Sequence, residues 1–72
     1  MNYKRAVELA YSIHFEMVIL RRERDMDKYH KYKLVWDNLS KRINTKAEIS
    51  EEDIEFVENN IKDIDTILTK IK

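Results

Sequence analysis

Ile54, Val57, Ile61, Ile64, Leu68 and Ile71 recur at spacings of 3, 4, 3, 4 and 3, an unbroken apolar seam along the end of the chain. Such an a/d repeat makes a narrow stripe on a helix, and a helix cannot bury its own face, so another helix must cover it. Tyr29, Tyr32, Trp36, Leu39 and Ile43 carry the same rhythm upstream. The two stretches, 27–43 and 51–71, are therefore expected to form an antiparallel helical hairpin.

A further helix is expected over residues 3–23. One stripe there contains Tyr3, Ala6, Ala10, Ile13, Met17 and Leu20, and a second contains Val7, Tyr11, Phe15, Val18 and Ile19. Apolar residues on so much of the circumference mark a helix that is central in a bundle or shared with a second molecule. Three helices offer too little cover for both stripes. The expectation is an all-α, three-helix up-down-up bundle, a single domain over 1–72, that dimerises into a larger helical bundle. Its interface would be drawn from Ala6, Ala10, Ile13, His14, Met17 and Leu20.

The boundaries carry unequal signals. Asn44-Thr45-Lys46 supplies turn residues, and Ser50 precedes the acidic first turn Glu51-Glu52-Asp53, with Ile49 and Ile54 placed as a hydrophobic staple. Lys70 and Lys72 suit the negative pole at the far end. Residues 21–28 contain no breaker, so one helix over 3–43, about 60 Å long, is the alternative to a turn. The main stripe of the first helix projects onto Arg24 and Asp27, out of phase with Tyr29 and Trp36, which favours a turn with Asp25 or Asp27 as N-cap.

Composition reinforces the helical reading. The 72 residues include no glycine, proline or cysteine. Tight β-hairpins need residues at positive φ, so an all-β fold is disfavoured. Without disulfides or thiolate metal sites, oligomerisation is the remaining way to strengthen so small a core. Abundant Ile, Lys, Asn, Glu and Asp is compatible with an AT-rich genome, and the compactness with a phage or mobile-element accessory protein.

Fourteen basic and fourteen acidic residues cancel, yet residues 1–46 hold eleven Lys/Arg against six Asp/Glu, whereas 47–72 hold three against eight. Lys31, Lys33, Lys41 and Arg42 facing Glu51, Glu55, Glu58 and Asp63 across the hairpin seam would use that asymmetry internally. The competing use is an electrostatic surface. Arg21, Arg22, Arg24, Lys28 and Lys31, interleaved with Tyr29 and Tyr32, could contact phosphates and stack on bases.

The segment Arg24-Asp25-Met26-Asp27-Lys28-Tyr29-His30-Lys31-Tyr32 resembles the arginine-to-histidine motif of the HEPN family of RNA-cleaving helical domains. The resemblance spans nine residues of a chain shorter than is usual in that family. It implies a dimeric ribonuclease in which His30 moves the 2′-hydroxyl proton and Arg24 holds the scissile phosphate. If the helix is continuous there, Glu23, Asp27 and His30 share a face at 4-3 spacing, but the acidic residues of the C-terminal stretch mostly lie off its apolar seam, unlike the inward carboxylates of a helical di-metal site. No glycine-rich phosphate loop or local Ser/His/Asp set is present. The expectation is a non-catalytic adaptor or regulator with no metal, cofactor or small-molecule substrate. It would bind its own copy or an unidentified protein partner, with nucleic acid as the alternative.

The apolar run Ile13–Leu20 contains His14 and Glu16 and falls well short of the roughly 20 residues a spanning helix needs. Lys4 and Arg5 are followed at once by Glu8, with no small-residue cleavage site after Leu20. A cytoplasmic location without membrane contact is the corresponding expectation.

Overall fold

The computed structural model describes residues 3–71, with side-chain surroundings described as far as residue 70. The seam position Ile71 and the capping position Lys72 thus lie outside the described side chains. Four helices follow in order: α1 (Tyr3–Arg22), α2 (Met26–Asn44), α3 (Glu51–Asn59) and α4 (Ile64–Ile71). Principal extents of 36 × 21 × 18 Å leave no room for a 60 Å helix through residues 3–43.

The turn between α1 and α2 is built without glycine. Arg24 takes φ of 62°, its N–H bonds to the Arg21 carbonyl, and the Asp25 N–H reaches back to that of Leu20. This is the Schellman ending, normally completed by glycine. Asp25 then caps α2, its side chain accepting from the Lys28 N–H at 3.3 Å. Lys46, at φ of 56°, ends α2 in the same way, with bonds from Lys46 to Ile43 and from Ala47 to Arg42.

At α3 the capping expectation is met: Ser50 Oγ accepts from the Asp53 N–H at 3.1 Å, and Ile49 and Ile54 are both buried. The continuous third helix over 51–71 is corrected. The Asn60 side chain donates to the Phe56 carbonyl at 2.8 Å, and Asp63 accepts from both the backbone and hydroxyl of Thr66, opening a new helix. These short polar side chains give the backbone partners that compete with helical continuation.

Packing follows from the break. α1 lies most extensively on α2, with α3 against α1 and α4 against α2. The principal hairpin is therefore α1–α2 rather than the last two expected stretches. Contacts of Tyr3 with Ala47, Arg5 with Glu51 and Glu16 with Lys62 advance together along α1 and the C-terminal segment, while Lys70 returns beside Asp53. So α3 runs alongside α1 in the same direction, and α4 folds back.

The core comprises Ala6, Leu9, Ile13 and Met17 from α1, Tyr32, Val35 and Leu39 from α2, and Ile49, Ile54, Ile64 and Ile67 from the C-terminal segment. Ion pairs fasten its edges. Arg5 joins Glu51 and Glu58 at 3.1 and 2.7 Å, Lys31 joins Asp65 at 2.8 Å, and Lys62 joins Glu16 at 2.8 Å. Hydrogen bonding to Glu58 raises the pKa of Arg5, and the Lys31–Asp65 hydrogen bond raises that of Lys31 while lowering that of Asp65. Lys31 and Arg42 thus do meet acidic partners, Asp65 and Asp53, although Glu51 and Glu58 go to α1.

The Tyr32 ring is buried, and its hydroxyl donates to the Ile61 carbonyl at 2.6 Å, tying α2 to the α3–α4 connection. Burial, aided by Glu16 and Asp63, holds the phenol above its ordinary pKa. A raised folded-state value gives stability that is complete below the unfolded pKa of about 10 and lost as pH climbs through the folded one. Tyr32→Phe is expected to cost about 1 kcal/mol near neutral pH. Urea unfolding at two pH values should show its deficit narrowing above about pH 10; a constant deficit would refute this account.

Candidate interaction surface

α3 and α4 cover one side of the α1–α2 hairpin and leave the other bare. On that outer side Tyr11 is 72% exposed, Phe15 63% and Val18 44%. Their 4-3 spacing places them on one row of α1. A shallow groove beside the row is walled by Val7, Ala10 and His14 of α1 and by Trp36 and Ile43 of α2. His14 and Trp36 meet across it with ring centroids 5.8 Å apart. Leu34, also exposed, lies about 200° around α2 from Trp36 and belongs to another side.

The expected interface residues divide between inside and outside. Ala6, Ile13 and Met17 are withdrawn into the chain's own core, and Ala10 and Leu20 pack partly against it; His14 alone of the six is exposed on the outer face. Ala6, Ile13 and Met17 are thus occupied within the chain's own core. Tyr11, Phe15 and Val18 of the second stripe take their place as accessible apolar groups.

At the end of the hairpin, Arg21, Arg22, Arg24 and Lys28 are exposed and form no ion pair among the described residues, whereas Lys31 is engaged by Asp65. Tyr32 is buried and cannot stack on a base; Tyr29 is half-buried, with its ring edge-on to His30 at 5.5 Å. Arg24 lies in the turn and His30 on the exposed side of α2, separated by the first turn of that helix. Among the described residues no three His, Asp or Glu side chains converge as metal ligands, and no helix is long and apolar enough to cross a membrane.

No family model, curated protein or solved structure matches the chain.

Proposed function

We propose that this chain is a helical interaction module, an adaptor or regulator without catalytic activity, that pairs with a second copy through the outer face of the α1–α2 hairpin. The observation that carries the reading is the row Tyr11, Phe15 and Val18, bordered by His14 and Trp36. Aromatic residues over a groove are the usual anchors of protein interfaces, and an isologous pair is the commonest way for one patch to cover itself. Sedimentation equilibrium across the micromolar range tests it: twice the chain mass is expected. A single chain mass throughout would refute it.

A second reading is favoured by the unpaired cations Arg21, Arg22, Arg24 and Lys28, which fit a polyanion such as single-stranded RNA. Glu23, Asp25 and Asp27 interleave with them and weaken the field, which keeps this reading second. Four phosphate contacts on a single strand would make binding fall roughly fiftyfold between about 50 and 200 mM salt. Fluorescence anisotropy with labelled RNA checks this, and absent or salt-independent binding would exclude it.

A further inference from the structure

Between the two hairpins, away from the outer face, lies a cavity of about 140 Å³. Leu39, Ile54, Val57 and Ile67 supply apolar wall, while Arg42, Asp53 and Lys70 stand at its margin. An apolar cavity of about this volume accepts a six-membered hydrocarbon ring. The margin is unusual for a simple packing gap. Asp53 faces two cations, with Lys70 Nζ 3.3 Å and Arg42 Nη1 3.9 Å from its carboxylate oxygens. Lys70 also sits 4.6 Å over the Phe56 ring, whereas the Arg42 guanidinium donates no hydrogen bond among the described residues. One positive charge and a set of unused planar donors therefore border an apolar chamber.

We infer that this cavity is a binding site for a small amphipathic carboxylate, of the benzoate or hexanoate class. Its hydrocarbon body lies among Leu39, Ile54, Val57 and Ile67, and its carboxylate pairs with Arg42 at the mouth. Guanidinium and carboxylate match in plane and in donor spacing, so the head group gains two parallel charge-assisted bonds that an alcohol cannot make. This is a ligand site and requires no reaction. It stands independently of self-association, because its residues are not those of the outer face.

Titrating isotope-labelled protein with benzoate and hexanoate, and with benzyl alcohol and hexanol as uncharged counterparts, tests the inference by methyl NMR. Methyl shifts at Leu39, Ile54, Val57 and Ile67 with dissociation constants near 1 mM are expected, and the alcohols should bind about tenfold more weakly. Arg42→Met, a change at an exposed side chain, should erase the difference between acid and alcohol while the methyl shifts persist. Three results would overturn the proposal: no shifts at about 50 mM ligand, far above a millimolar constant; shifts centred on other residues; or an acid preference that survives Arg42→Met.

Discussion

Ile67→Ala is expected to lower unfolding free energy by about 3 kcal/mol, within the range for emptying a fully buried aliphatic site. Ile67 has no exposed surface and sits where α4 meets the core. Its side chain is one of the few large groups that α4 contributes, so little nearby can collapse into the space left behind. A chain of this length has roughly 4–11 kcal/mol of total stability, so the loss is a large share of it. Urea unfolding followed by circular dichroism measures the change, with Leu34→Ala as reference. Leu34 is 60% exposed and its truncation should stay within about 0.5 kcal/mol. Equal midpoints for the two variants would show that α4 is not packed as described.

Phe15→Glu should separate association from folding. The ring is 63% exposed within one chain, so its replacement leaves the core intact and helical dichroism unchanged. In an isologous pair the substitution occurs twice and places a charge within a desolvated aromatic patch. An anchor of this kind is worth about 2 kcal/mol or more, which weakens association about 30-fold or beyond. Sedimentation at a concentration where the parent chain is paired should give the mass of one chain. Met17→Glu is not an equivalent experiment: Met17 is 5% exposed inside the core, and a carboxylate there unfolds the chain before any interface is questioned. A folded Phe15→Glu protein that still pairs would place the contact elsewhere.

Much of the architecture was legible in local chemistry. Ser50 and Asp53 mark the start of α3 by a cap that needs no tertiary information, and Asp25 does the same for α2. The Asn60 and Asp63 break was harder to see, because the apolar spacing continues across it and no glycine or proline announces it. Ile67, one helical turn beyond Ile64 and beside the seam Ile64–Leu68, is buried as well. On α1 the difficulty was of another kind. Apolar residues occupy two stripes, and helical periodicity alone does not rank them; the side that receives α3 decides, burying Leu9 with Ile13 and leaving Phe15 outside. The basic segment could be read as a charge cluster, but the engagement of Lys31 by Asp65 depends on how α4 folds back.

α3 and α4 contain nine and eight residues, fewer than the dozen or so at which a solitary helix begins to persist in water. Neither can hold its shape once it leaves the longer pair. Solvent-exposed ion pairs from Arg5, Lys31 and Lys62 help fasten this half of the molecule, and salt loosens such clasps. The helical shape of the C-terminal third therefore depends on Ile54, Ile64 and Ile67, the side chains it buries against α1 and α2.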